Sequence, residues 1–206
     1  MVNTSSLKQY VWTSLWITIL WIILYRYTNH IAQFAAVKYD FSFAWEKNTP
    51  LIPWMILPYV SLNIMTFVPL FHLIPSEIRH LGRVMGLATV IAALVFYFFP
   101  APLIHTRPAY VPTWNYFFQL VFSLDDVSNT LPSLHITYST QLLLALWPKL
   151  KSFRYIYLPW FVLVCVSVLF TWQHHFMDII AGVVLAVSLQ LIVPKLSRDE
   201  SFRWGI

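Results

Sequence analysis

Long apolar runs broken by short polar stretches organise this chain, and few of them show apolar and polar residues alternating one by one. Apolar runs of roughly 17 to 25 residues match the length of a helix that crosses a bilayer. Six stretches read this way, approximately Tyr10–Tyr25, Leu51–Phe71, Val84–Phe99, Ser133–Trp147, Tyr155–Trp172 and His175–Val193. A helix closes its backbone hydrogen bonds within itself, whereas a membrane strand would need a two-residue alternation that is missing here. The pattern therefore predicts an all-α, polytopic membrane bundle of six transmembrane helices, forming one domain over residues 1–206. The first run follows a polar "MVNTSSLK" start and has no small-x-small cleavage site, so it reads as a retained anchor. Pro53, Pro58 and Pro69 predict that the second span is kinked or tilted. Tyr10, Trp12, Tyr25, Trp54, Trp147, Tyr155 and Trp172 fall near span ends, where an interfacial aromatic belt belongs.

Composition supports that class. Apolar residues make up 59% of the chain and charged residues 10%, which is too few charges for the surface of a soluble domain. The net charge of +5 raises the question of nucleic acid, but the basic residues are scattered singly and no aromatic-basic platform accompanies them, so no nucleic-acid partner is expected. They read instead as topology signals. With the N-terminus inside, Lys8, Arg79, Arg83, Lys149, Lys151, Arg154, Lys195, Arg198 and Arg203 fall on the inner side, and Arg26, Lys38, Lys47 and Arg107 on the outer. This split predicts both termini in the cytoplasm, with the connections after the first, third and fifth spans facing outward. Cys165, the single cysteine, can form no internal disulfide and reads as a packing residue.

Three stretches that converge on the outer face carry candidate chemistry. In "TWQHHFMDIIAG", His174 and Asp178 are four residues apart, so at the start of a helix they would share a face, with the carboxylate against one imidazole nitrogen. His175 would point about 100° away and reads as an interfacial residue. In "LPSLHI", Pro132 and Ser133 stand where a helix start prefers proline and a capping hydroxyl, next to His135, and free amides there suit an anion. In "HTRP", Arg107 can fork onto a phosphate. Each stretch alone has an ordinary explanation, such as a capped helix or a headgroup contact. Together they hold the parts needed to bind phosphate and attack it without a metal. Asp125 and Asp126 are adjacent, with no further ligand at a metal spacing, and predict a solvated turn before Asn129.

These three stretches, "PAPLIHTRP", "PSLH" and "SVLFTWQHHFMD", resemble in order the KxxxxxxRP, PSGH and SRxxxxxHxxxD motifs of the type 2 phosphatidic acid phosphatase family, whose helical core is shared with vanadium haloperoxidases. The "TWQHHFMD" segment is similar to that of members which transfer a phospho-headgroup between lipids, including inositol phosphorylceramide synthases. The resemblance implies a metal-independent enzyme with no cofactor, acting on a lipid phosphate among membrane lipids. His174 would be the nucleophile, Asp178 its orienting carboxylate, and His135 the acid and then base. Arg107, Ser133 and the backbone at Leu134 would hold the phosphate oxygens. Two family cations are missing, since Pro100 stands at the lysine position and Val168 at the arginine position, and Leu134 replaces the glycine. Fewer cations favour a less charged phosphate. His105, Lys38 and Lys47 are the candidates to replace the lysine. The expected activity is hydrolysis of a lipid phosphate through a phosphohistidine, with headgroup transfer to an alcohol or lipid binding without turnover as alternatives. In a bacterial host the site would face the periplasm from the inner membrane.

Overall fold

The structure, a computed structural model, describes residues 3–125 and 127–194. Asp126 and the inner-side cations Lys195, Arg198 and Arg203 lie outside the described residues. Eight α-helices account for most of the described chain: α1 (Thr4–Gln33), α2 (Ile56–Met65), α3 (Val68–His72), α4 (Pro75–Phe98), α5 (Asn115–Leu124), α6 (Leu134–Leu146), α7 (Arg154–Phe170) and α8 (Phe176–Ile192). Among the described residues, three helical stretches are long and apolar enough to cross a membrane, Thr4–Gln33, Pro75–Phe98 and Lys151–Phe170, the last including a short 3-10 turn before α7; this is fewer than the six spans expected from the sequence. Many large apolar side chains point outward, among them Val11, Ile23, Leu94, Ile156, Val162 and Val184. Such a surface suits lipid rather than water.

Expected span centres coincide with helices, but their boundaries differ. Helix α1 runs well past both ends of Tyr10–Tyr25; at its start Asn3 caps it, its Oδ1 accepting the Ser5 amide at 3.1 Å. The proline-rich second run is broken rather than bent. A 3-10 turn over Pro53–Met55 leads into α2, and a turn at Thr66 and Phe67 separates α2 from α3, with Pro69 in the first turn of α3. Helix α5 falls in a stretch read from sequence as a connection; at 10 residues it is too short to register as a span.

Pairwise contacts fix the directions. Helices α1 and α4 run parallel: Gln9 meets Arg79 at one end, and the Tyr25 ring meets Phe96 at the other. Their close approach rests on Gly82 and Gly86, one turn apart on α4. A Cβ at Gly82 would come within 2.5 Å of Thr13 Cγ2, and one at Gly86 within 2.5 Å of Trp16. This small-xxx-small spacing lets two helix backbones pack closely in lipid, where burying apolar surface supplies little drive. Polar side chains stitch the interior together as well. Tyr138 and Thr89 hydroxyls lie 2.6 Å apart, Gln141 Nε2 donates to the Val84 carbonyl, and Trp160 Nε1 donates to Ser61 Oγ. The start of α4 shares one end of the bundle with the ends of α6 and α8 through the pairs Glu77–Lys149 and His80–Gln190. The starts of α6 and α8 therefore lie together at the other end, where the connections after α1, α4 and α7 also gather.

Candidate active site

Two helix starts and one turn build the site. Ser133 is the N-cap of α6, and its Oγ accepts the Ile136 amide at 3.3 Å. The first intrahelical bond is Thr137 N–H to Ser133 C=O, so the amides of Leu134 and His135 lie in the unpaired first turn of the helix. Helix α8 begins at Phe176, with His175 as an extended N-cap. His174 thus precedes the helix, which corrects the expectation that it shares a helical face with Asp178. Their approach arises from capping instead: Asp178, at the third helical position, reaches back so that Oδ2 accepts the His175 amide at 2.7 Å. The same oxygen lies 3.4 Å from His174 Nδ1 and 3.6 Å from His175 Nδ1. Asp178 is fully buried.

The turn that presents His174 is a Schellman ending of α7. Trp172 N–H bonds Leu169 C=O, Gln173 N–H bonds Val168 C=O, and Trp172 adopts φ 55°, a left-handed conformation usually left to glycine. Holding a bulky residue there costs roughly 1–2 kcal/mol. Two contacts offset that strain: Trp172 Nε1 donates to Thr49 C=O at 3.0 Å, and its indole stacks on His105 at 4.4 Å. Val168, at the position of the missing family arginine, also accepts the His174 amide with its carbonyl.

Carbonyl partners settle which ring nitrogen of each histidine carries hydrogen, because a carbonyl only accepts. His174 Nδ1 lies 3.0 Å from Thr130 C=O, so Nδ1 bears the hydrogen and Nε2 is left with its lone pair. His135 Nε2 lies 2.7 Å from Tyr59 C=O, and the two rings stack at 4.1 Å. That leaves His135 Nδ1 for proton transfer. His175 differs from its reading as an interfacial residue: it is buried, its Nε2 accepts the Ile104 amide at 3.2 Å, and its Nδ1 faces Asp178. It is a structural partner of the carboxylate.

A cavity of about 170 Å³ brings His174, His135 and Leu134 together, with Asp125, Asn129 and Asn63 among its polar lining and Trp21, Tyr25, Tyr59 and Phe96 among its aromatic lining. Arg107 stands beside this wall. Its guanidinium donates to Asp125 C=O at 2.9 Å and Gln173 Oε1 at 3.2 Å, and lies over the Phe122 ring at 4.7 Å. Ser133 is buried behind the wall, where its amide donates to Asp178 C=O at 3.2 Å and ties α6 to α8. None of the three candidates to replace the family lysine lines the cavity. Lys38 and Lys47 are exposed, and His105 donates Nε2–H to Glu46 C=O at 2.9 Å. Burial pushes the His105 imidazole below its ordinary value of 6.5, so the ring is neutral near pH 7.

Sequence reasoning passed over Tyr59, Gln173 and Glu46. Glu46 is buried, and its carboxylate accepts the Phe43 amide at 2.6 Å and the Phe176 amide, in the first turn of α8, at 2.7 Å. A negative charge there also suits the positive end of the helix. Its lone place in a polar loop gave no periodic signal. Gln173 sat next to the histidines, and its amide could have been read as a brace.

Gly182 sets how closely α8 approaches Ser133. A Cβ there would meet Ser133 C=O at 2.8 Å and Ile136 Cβ at 3.1 Å. Because the first of these neighbours is backbone, Gly182→Ala has to push the helix starts apart. We expect it to cost about 1–3 kcal/mol of stability and to lower turnover. A melting curve in detergent checks the first effect and a rate measurement the second; unchanged values in both would mean that the helices tolerate a wider spacing.

A search of curated proteins finds no match to the chain. A sequence model of the PAP2 superfamily matches residues 46–192, which include α2 to α8, both histidines of the cavity, Asp178 and the Glu46 brace. The chain belongs to the PAP2 superfamily, whose members are generally phosphatases and phosphotransferases.

Proposed function

We propose that the protein is a metal-independent phosphatase that hydrolyses a lipid phosphate ester through a phosphohistidine at His174. One observation carries this reading: His174 and His135 meet in one cavity with complementary nitrogens available, Nε2 on the first and Nδ1 on the second. His174 Nε2 forms a bond to phosphorus as the bond from phosphorus to the lipid oxygen breaks. His135, protonated at Nδ1, gives its proton to that leaving oxygen. In the second half, water loses a proton to His135 Nδ1 and attacks phosphorus, and the P–N bond breaks. Positive charge that develops on His174 during attack is met by Asp178 across Nδ1. The unpaired amides at Leu134 and His135, with Arg107 beside them, are the donors for the phosphoryl oxygens in this reading; Ser133, expected from the resemblance to hold one of those oxygens, lies behind the cavity wall and acts as the helix cap.

Six crossings, with both termini in the cytoplasm, would put this end of the bundle on the outer face, and in a bacterium on the periplasmic side of the inner membrane. The gathering of the α1, α4 and α7 connections around the cavity supports that arrangement. The cavity lining also favours a second reading, headgroup transfer to a lipid alcohol. Among the described residues that line it there is no lysine or arginine, and its largest members are aromatic. Such a wall suits a phosphodiester better than a doubly charged monoester, and an alcohol in place of water in the second half gives transfer.

Purified protein supplied with lipid phosphates in detergent and chelator should release inorganic phosphate, and vanadate, which adopts the five-coordinate geometry of the transition state, should block that release. Loss of activity on adding chelator would overturn the metal-independent mechanism. Phosphate release only from monoesters would set hydrolysis above transfer, and headgroup exchange between labelled lipids would reverse that order.

A further inference from the structure

The end of the bundle opposite His174 encloses a second cavity of about 590 Å³, between the start of α4 and the ends of α6 and α8. That volume falls in the range of small-molecule sites. The full length of α6, 13 residues or about 20 Å, separates it from the His135 end, so it is no extension of the reacting cavity. Its polar and apolar linings sit at different levels. Glu77, in the first turn of α4, and Lys149, just past the end of α6, stand at the helix ends, whereas Leu144 and Val187 lie on the bodies of α6 and α8. Leu144, Val187 and Leu191 are also exposed on the outer surface, so a hydrocarbon chain can run along them into the bilayer.

The polar level is built around an open ion pair. Lys149 Nζ lies 2.8 Å from Glu77 Oε1, and the two side chains are 32% and 34% exposed, so a molecule in the cavity can touch both. Glu77 Oε2 accepts the Ile74 amide at 3.0 Å, which fixes the carboxylate. A pair this exposed adds little stability. It does offer binding capacity, because it uses one of the three hydrogens of the ammonium and leaves each carboxylate oxygen a lone pair. Among the described residues no other lysine, arginine, aspartate or glutamate lines the cavity. Arg79 is turned to Gln9 of α1, Arg154 lies over the Trp147 ring, and His80 is bonded to Gln190 at 3.1 Å. The charges of the pair therefore cancel. An anionic headgroup would leave the site net negative and a cationic one net positive, while a headgroup that carries both signs keeps it neutral.

We propose that this cavity binds a membrane phospholipid whose headgroup joins a phosphate to a primary ammonium, the ethanolamine class. The phosphate accepts from Lys149 Nζ, the ammonium donates to the Glu77 carboxylate, and a chain lies along Leu144, Val187 and Leu191. Four charges then alternate in sign, and the Lys149–Glu77 pair does not have to open. A choline headgroup has the same charges but no N–H to give Glu77, and a glycerol headgroup brings the phosphate without its counter-charge. The assignment does not depend on the chemistry at His174.

The test uses the full chain in detergent with an ethanolamine phospholipid that carries a diazirine and an alkyne on one chain, with labelled peptides mapped by mass spectrometry. Label is expected on the segments holding Leu144 and Val187. At those segments, unlabelled ethanolamine phospholipid should displace it at a concentration about tenfold below that needed of choline or glycerol phospholipids with the same chains, the discrimination expected of one hydrogen bond between charged groups. Glu77→Gln, whose amide oxygen can still accept the Ile74 amide, uncovers the charge of Lys149 and should reverse the order, so that the glycerol phospholipid displaces best. Lys149→Gln should lower labelling about tenfold. Equal displacement by the three lipids, label missing from both segments, or the original order kept in a folded Glu77→Gln protein, would overturn the proposal. The displacement series uses unaltered protein, so it decides the matter even if a variant fails to fold.

Discussion

Replacing His174 by alanine should reduce turnover to background, a fall on the order of 10⁵-fold or more, as when a covalent nucleophile is deleted from an enzyme. The site is well suited to this test. His174 sits on a turn fixed by backbone bonds to Val168 and Leu169 and by the Trp172 anchor, none of which uses its imidazole. Its ring contacts only Thr130 C=O and Asp178 among the bonds of the site, so the variant should keep its fold and its melting temperature within a few degrees. Initial rates beside a thermal melt would separate the two effects. Turnover close to that of the unaltered protein would eliminate His174 as the nucleophile and remove the basis of the phosphohistidine mechanism.

Asp178→Asn should lower kcat by about 10³- to 10⁴-fold with little change in KM, the size of effect seen when an orienting carboxylate becomes an amide. The carboxylate has two tasks here. Oδ2 holds the His175 amide at 2.7 Å, and it faces Nδ1–H of His174 across 3.4 Å. An amide oxygen can still take the first bond. It carries no charge to answer the imidazolium that forms during attack, and an amide N–H turned toward His174 would meet another donor. Chemistry should therefore suffer more than binding, so a single-turnover measurement at saturating substrate is the readout. A variant within tenfold of the original in kcat would mean that Thr130 C=O alone orients the ring.

The residues of the candidate site were more legible in the sequence than their geometry. His174, His135 and Asp178 stand out because ionisable groups beside long apolar runs are expensive and need a reason. Ser133 reads as a helix cap because proline and serine before an apolar run have that local meaning, and the structure has it as one. The pairing of His174 with Asp178 was legible only as a spacing of four. That spacing fits one turn of helix, but an N-cap followed by a carboxylate at the third helical position gives the same proximity, and the structure uses the second arrangement. His175 looked peripheral because an ideal helix would turn it away, whereas an extended N-cap turns it inward. The break between α2 and α3 interrupts a run read as one span, and α5 was passed over because its ten residues fall short of the length that marks a span. Glu46 braces α8 from a residue 130 positions earlier in the chain. Nothing local in "FAWEKN" announces such a contact.

Helix α1 lies outside the stretch matched to the superfamily, yet Trp21 and Tyr25 from it help to line the cavity that holds both histidines. It is attached along a seam of two glycines, Gly82 and Gly86, that accept Thr13 and Trp16. The two cavity histidines and Asp178 belong to the matched stretch and owe nothing covalent to this seam beyond continuity of the chain. On the proposed chemistry, a lineage can redraw the α1 side of the cavity while the two histidines and Asp178 stay fixed, so the choice of substrate and the means of breaking its bond can evolve on separate helices.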